Sequence, residues 1–391
     1  MRSVSGFIQL LRSLTTCPLQ CLRKASRTVA TPWKVQASVM SVFHPPREGI
    51  TLEYLFRPVH HVLLQPVVPA ALLLLHLRYP EAFQRALPLI VTSAIQPRFI
   101  TRTLGGLLTF GVLYKLNRYL SRLVLNNFVK DTSWDWEREI VLISGGSSGI
   151  GQEMVRQFGE RNIKVVVLDV NPPQTPLPTC ATFYKTDVTS SQDIRDVAAK
   201  IRKDVGDPTV LINNAGVANG KTILDETEEQ LQRTFDVNIL AHFKMVKEFL
   251  PDMIKKNHGH VVTIASMSSF ATWAGVTSYA ATKAAALAFH EGLAQELRAR
   301  YGADKVRTTI VHPVWVRTPL SHGLVRKMAS NQVLLEPGTV AEAVVSQVLK
   351  CEGDQLILPA RFNFVPFMRG WPSWLQESAR SDGAQVIQSG N

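Results

Sequence analysis

The stretch from Glu139 to Gly151 constrains the fold more than any other part of the chain. Glu139–Ser144 reads EIVLIS, a short, apolar, β-branched run of the kind that forms a buried parallel strand. It passes directly into Gly145-Gly-Ser-Ser-Gly-Ile-Gly151, after which EMVRQFGERN takes up helical periodicity. Strand, glycine turn and helix in that order bring a helix N-terminus to the carboxyl end of a strand. The glycines permit a tight turn and close approach of backbone to a ligand, and the helix start favours a pyrophosphate. A second apolar strand, Lys164–Asp169 (KVVVLD), ends on an acid 18 residues after Gly151. A carboxylate there accepts hydrogen bonds from adenosine ribose hydroxyls and repels a 2′-phosphate. No lysine or arginine lies in the glycine loop or directly after Asp169 to offset that repulsion, so NAD(H) is favoured and NADP(H) is the alternative. Asp169 also suits a cap on the turn made by Asn171-Pro-Pro173. The alternation of strands and helices that follows predicts an α/β fold: a Rossmann-type doubly wound parallel sheet flanked by helices.

Charge divides the 391-residue chain in two. Residues 1–130 carry 16 Lys/Arg against 3 Asp/Glu, whereas residues 131–391 carry 27 against 28. A nucleic-acid enzyme more often places its basic surface on the domain that does the work. Here the excess sits in an apolar leader, which points to an anionic membrane surface and to no nucleic acid. Residues 1–60 form a basic leader with no acid before Glu48, a composition that fits a mitochondrial transit peptide, a disordered tail, or an extension upstream of a start at Met40. Residues 61–130 contain three apolar runs: Val62–Leu77 (broken by Pro66 and Pro69), Ala86–Ile95 and Leu104–Tyr114. None reaches the roughly 20 unbroken apolar residues of a simple span. They suit a hairpin or re-entrant anchor. Beyond the third run, Lys115, Arg118 and Arg122 recur beside a face of Leu113, Leu116, Leu120 and Leu123, as in an interfacial amphipathic helix. A helical subdomain packed on the core is the other reading. A catalytic domain over 131–360 begins at DTSWDWERE (Asp131–Glu139), and 361–391 is a tail whose aromatic stretch Phe362–Leu375 suits either membrane contact or closure of a pocket.

The four cysteines show neither a disulfide framework nor zinc-ligand spacing, and no metal is expected. His258, His260 and His312 read as ordinary surface or strand-end residues. Trp273 and Trp315 flank the site in sequence and suit a pocket wall or the core equally.

Tyr279 and Lys283 lie four residues apart, on one face of a helix. A phenol titrates near 10 and is a poor acid or base at neutral pH, but a neighbouring ammonium favours the phenolate. An ordinary helix face has the same spacing, so the pair acquires meaning only from its surroundings. Ser266 follows the apolar strand Gly259–Ala265 and so sits at a carboxyl end, where open α/β sheets bind ligands. Ser268 and Ser269 are its neighbouring competitors.

From Glu139 to about Leu320 the chain resembles the short-chain dehydrogenase/reductase family. Ser144–Gly151 matches its Thr-Gly-x-x-x-Gly-Ile-Gly loop, with serine for threonine. Asp187 and Val188 match its adenine-contacting pair, Asn213–Gly216 its Asn-Asn-Ala-Gly, and Asn238 its active-site asparagine. Ser266 stands 13 residues before Tyr279, the spacing of the family's serine and tyrosine, and Val311–Thr318 matches the loop after strand six, with Val314 where glycine is usual. The resemblance implies a catalytic set of Ser266, Tyr279, Lys283 and Asn238. It implies cofactor contacts from Gly145, Ser147, Ser148, Gly149, Ile150, Gly151, Asp169, Asp187, Val188, Asn214, Ala215, Gly216, Tyr279, Lys283, Val316 and Thr318. The implied reaction is hydride transfer between nicotinamide and an alcohol or carbonyl. Tyr279 moves the proton, Lys283 lowers its pKa and holds the ribose, Ser266 binds the substrate oxygen, and Asn238 holds a relay water. Pro319–Glu336 corresponds to the family's substrate lid, made apolar here by Leu320, Leu324, Val325 and Met328. The layout is similar to the membrane-associated retinol dehydrogenase and 17-beta-hydroxysteroid dehydrogenase branch. That implies a lipophilic substrate of retinoid, steroid or fatty-aldehyde type, at the endoplasmic reticulum or lipid droplet, with a mitochondrion and a homodimer as further expectations. The competing reading is a membrane scaffold that binds NAD without catalysis.

Overall fold

The computed structural model describes residues 47–48, 65–86, 96–321 and 333–388. Nearly all of the basic leader, most of the apolar run ending at Ile95, and the lid residues Leu324, Val325 and Met328 lie outside the described residues.

Among the described residues, three helices come first: α1 (Val67–Arg78), α2 (Pro80–Ala86) and α3 (Pro97–Leu125). The two prolines that break the first apolar run fall at its start: Pro66 caps α1 and Pro69 lies in its first turn, where a missing N–H is tolerated. Pro97 opens α3 in the same way. The chain then alternates β1 (Ile140–Ser144), α4 (Gly149–Gly159), β2 (Lys164–Asp169), β3 (Ala181–Lys185), α5 (Ser191–Asp204) and β4 (Val210–Asn213). It continues through α6 (Glu228–Phe235), α7 (Ala241–Lys256), β5 (His260–Ile264), α8 (Thr277–Ala299), β6 (Arg307–Pro313), β7 (Trp315–Val316), β8 (Leu334–Leu335), α9 (Pro337–Leu349), β9 (Asp354–Leu358) and α10 (Ser373–Gln388).

Seven strands form one parallel sheet in the order β3-β2-β1-β4-β5-β6-β9. Its central strands are buried at every position and mostly apolar because both faces are covered. Leu142, Val166 and Leu211 point into a core made with α5, α7 and α8, while Val141, Ile143 and Val165 point into a second core made with α4 and α9. Leu142, Ile143 and Leu168 have no exposed surface, and each such side chain contributes roughly 2 kcal/mol. Strand order reverses between β1 and β4, which opens a crevice at their carboxyl ends, the place where such sheets bind ligands.

α3 is fastened at the other end of the sheet. Arg307, at the start of β6 and only 2% exposed, donates from Nη1 to Asn126 O at 3.0 Å and from Nη2 to Val129 O at 2.6 Å. Asn126 and Gly353 exchange two hydrogen bonds just ahead of β9, and Arg122 pairs with Glu352. The linker then runs beneath the amino ends of the strands, where His258 lies between Asp131 and Glu139, 3.2 Å from each. α3 is therefore attached at the end remote from the crevice, whereas Leu320 and Val333 of the lid line the cavity. No helix among the described residues is long and apolar enough to cross a membrane.

Candidate active site

The glycine loop is shaped by contacts that a side chain would destroy. Gly145 has φ +66°, and a Cβ there would lie 2.8 Å from Ala215 Cα. At Gly149 φ is +56°, with Thr318 Cγ2 at 3.2 Å from the same notional atom. Asn214 Nδ2 donates to Ser144 O at 3.0 Å and Gly145 O at 2.8 Å, pinning the turn to the end of β4. Ser144 accounts for its own place in the loop: its Oγ donates to Ile212 O and accepts from the amides of Asn214 and Ala215. The hydroxyl common to serine and threonine is what the bridge from β1 to β4 uses.

Ser148 caps α4 without any side-chain hydrogen bond, so the first amides of the helix are left for a ligand. Asp169 accepts from Ser147 N at 3.1 Å and Asn171 N at 3.0 Å while lining the same cavity, so it serves both as turn cap and as cavity wall. Asp187 is fixed by Thr189, and Val188 is buried against the cavity. These features fit a dinucleotide: a backbone cradle for pyrophosphate, then carboxylates at the ribose end.

The cavity measures about 1240 Å³. Of the residues expected at the cofactor, Ser147 and Gly151 do not line it; each acts one layer behind. Ser147 Oγ donates to Asn171 O, and Gly151 packs against the Gly145 carbonyl. Val314, where the family usually has glycine, keeps a negative φ and donates to Leu358 O at 2.9 Å, so the loop carrying Val316 and Thr318 forms without glycine.

Ser266, Tyr279 and Lys283 converge on this cavity. Ser266 ends the segment after β5, accepts from Ser268 N at 3.1 Å and is close enough to the Tyr279 phenol to lower its pKa. Ser269 donates to Lys283 O at 2.8 Å and is thereby spent on fixing the turn to α8. Lys283 is 3% exposed; its Nζ donates to Ile264 O at 2.8 Å and stands 5.6 Å from the Tyr279 ring centre. Burial pushes the Lys283 ammonium down to about 8. Burial also pushes the Tyr279 phenol up, against the hydrogen bond from Ser266. The depression of the tyrosine by its lysine, expected from the spacing, does not appear: burial raises the phenol, and what opposes it is Ser266.

Asn238 occupies a π-helical turn, Asp236–Leu240. Its Nδ2 donates to Val217 O and Thr282 Oγ1, and its Oδ1 accepts from Val217 N. Both amide hydrogens are committed, so the side chain clamps the segment after Gly216 to α8. His312, read from the sequence as an ordinary residue, has Nδ1 3.0 Å from Ser266 O, and burial pushes its pKa down to about 4. A neutral imidazole donating from Nδ1 supports the Ser266 backbone; its signal, a histidine ending a buried strand, was not distinctive. Among the described residues no group of side chains could hold a metal ion.

A sequence profile described as short chain dehydrogenase matches residues 139–329. Dehydrogenase RED2 of Cochliobolus heterostrophus is 46% identical over 225 residues, which cover 57% of this chain and 85% of that protein. The chain belongs to the short-chain dehydrogenase family. Epidermal retinol dehydrogenase 2 of Mus musculus is 34% identical over 240 residues, covering 59% of this chain and 77% of the relative. Estradiol 17-beta-dehydrogenase 11 of the same species is 34% identical over 231, covering 57% and 76%. A short-chain dehydrogenase from Streptomyces avermitilis shares the fold at a TM-score of 0.51 and 24% identity, covering 62% of this chain and 94% of that one. The chain is an oxidoreductase of this family, and the scaffold reading is not favoured.

Proposed function

We propose that the protein transfers a hydride between NAD(H) and a lipophilic alcohol or carbonyl of the retinoid, steroid or long-chain type. The observation that carries this is the shape of one cavity. Its glycine-loop end carries Asp169 and Asp187, while its far lining, Trp273, Trp315, Leu320, Phe362, Val365 and Trp371, is apolar and aromatic. Between them stand Ser266, Tyr279 and Lys283. The relatives named for retinol and estradiol support an apolar substrate, and Asp169 supports NAD over NADP.

When bound, the nicotinamide accepts or supplies the hydride. The chain's own residues do the rest. Tyr279 takes the carbinol proton in oxidation or returns it in reduction. Ser266 hydrogen-bonds the substrate oxygen where charge develops. Lys283 keeps a positive charge below about pH 8, which favours the phenolate electrostatically. Asn238 holds the wall around Lys283, and a relay water would have to meet its backbone or the free lone pair of Oδ1.

Membrane association is part of the proposal. α3 contains no acidic residue and exposes Phe110, Leu113, Leu116, Tyr119 and Leu120 alongside Lys115 and Arg118. That mixture suits the surface of an anionic bilayer. The test is a dehydrogenase assay of membrane fractions with retinol, estradiol and dodecanol, each with NAD and NADP. Oxidation of at least one with NAD preferred is the expected result; a preference for NADP, or turnover of water-soluble alcohols alone, would overturn the reading.

A further inference from the structure

The end of the chain builds part of the cavity. Phe362, Val365, Met368 and Trp371 line it together with Ser266 and Tyr279. Val365, Phe362 and Met368 also pack with Met267 and Phe270, on the turn that follows Ser266, in a small core separate from the two main ones. On its outer side Phe367 is 70% exposed, and Trp374 just beyond is 73% exposed. One side chain closes the arrangement. Arg369 donates from Nη2 to Ser269 O at 2.9 Å and from Nε to Phe270 O at 3.3 Å. Ser269 in turn donates to Lys283 O. A continuous path of hydrogen bonds therefore joins the C-terminal segment to the turn bearing Ser266 and to the helix bearing Tyr279 and Lys283. Because the guanidinium is directed at main-chain carbonyls of the turn, it is not among the groups lining the cavity.

We propose that Phe362–Trp371 is the wall that recognises the apolar body of the substrate, and that Arg369 is the positioning residue that latches it to the catalytic turn. The planar fork of arginine can meet two carbonyls at once, which an ammonium cannot do in the same geometry. The latch sets the distance between the aromatic wall and Ser266, and hence where a bulky substrate places its oxygen. This rests on the dehydrogenase reading, so the test carries one readout independent of activity.

In the full-length protein, Arg369→Gln is expected to raise KM for retinol about tenfold, the loss of a charged hydrogen-bond donor, with a much smaller change in kcat and unchanged NADH affinity. Amide exchange in 362–371 is expected to quicken, while exchange in β1 and β2 stays the same. Arg369→Lys keeps the charge and one carbonyl contact and should recover part of the KM. An unchanged KM and unchanged exchange in Arg369→Gln would overturn the proposal, as would equal loss of kcat, NADH affinity and protection throughout the sheet. Should the wild-type protein oxidise no alcohol, the dehydrogenase reading fails by itself. Exchange in 362–371 then decides the latch: faster in Arg369→Gln supports it, unchanged refutes it.

Discussion

Replacing Gly151 with alanine tests the cradle through a residue that does not itself line the cavity. The added Cβ would lie 2.1 Å from Gly145 O, 2.9 Å from Gly145 C and 2.7 Å from Asn214 Nδ2. Ordinary contact begins near 3.4 Å, so the carbonyl must retreat by roughly 1.3 Å. That carbonyl accepts from Asn214 Nδ2 at 2.8 Å, and the same nitrogen donates to Ser144 O at 3.0 Å. Weakening two such bonds costs about 0.5–1.5 kcal/mol each, and overpacking adds about 1–3 kcal/mol. Gly151→Ala should therefore lose roughly 3 kcal/mol of stability in urea unfolding, part of it recoverable only by moving the loop. A loop displaced by about an ångström no longer presents its amides correctly, and NADH affinity by fluorescence titration should fall at least about tenfold. Gly106→Ala is the control: nothing lies within 4 Å of its Cβ, and it sits inside α3. Alanine there should be neutral or stabilising by about 0.5–1 kcal/mol. NADH affinity within twofold of wild type and unchanged stability in Gly151→Ala would refute the reasoning.

Two further substitutions follow from charges held in the fold. Lys283 titrates at about 8 in the folded protein against 10.5 ordinarily, so the unfolded chain binds more protons between those values and stability rises with pH across that window. Below about 8 the cost of burying the ammonium is fully present; Lys283→Met should gain roughly 1–3 kcal/mol at pH 7, lose the gain toward pH 10.5, and lose turnover. A variant less stable than wild type at pH 7 by urea unfolding would contradict this. His258 is shifted the other way, upward, by its hydrogen bond to Glu139 and then its contact with Asp131. Its contribution is complete below the ordinary histidine value and is lost as pH rises through the raised one. The gap in Tm between wild type and His258→Gln should be wide at pH 6 and narrow at pH 9; an equal gap at both would show that the ion pairs contribute nothing.

The parts of this molecule that local pattern dictates were visible in its sequence. KVVVLD reads as Lys164–Asp169 and is β2 over the same residues, because four buried apolar positions are bracketed by polar Lys164 and Asp169, which mark its ends. α9 begins at Pro337, since proline is suited to a first turn. The cofactor loop was legible because glycine, strand end and helix start must coincide in sequence to coincide in space. Ser147 and Gly151 are expected at the ligand from the motif but do not line the cavity, since a motif does not say which of its members face inward. What remained hidden depends on distant partners. Arg369 meets residues about a hundred positions earlier, and Arg307 meets Asn126 181 positions away. Such bonds between a side chain and a remote carbonyl leave no periodicity. The attachment of α3 at the amino ends of β6 and β9 was hidden for the same reason.

In the proposed reaction Tyr279 is the proton-transfer group at a working nicotinamide site. The most direct test compares wild type with Tyr279→Phe, measuring NADH affinity and NAD reduction with retinol on the same preparations. The account predicts NADH affinity within about threefold and a fall in kcat of at least about a thousandfold, since the phenylalanine keeps the ring and removes the acid–base group. Turnover by Tyr279→Phe close to that of wild type would contradict it.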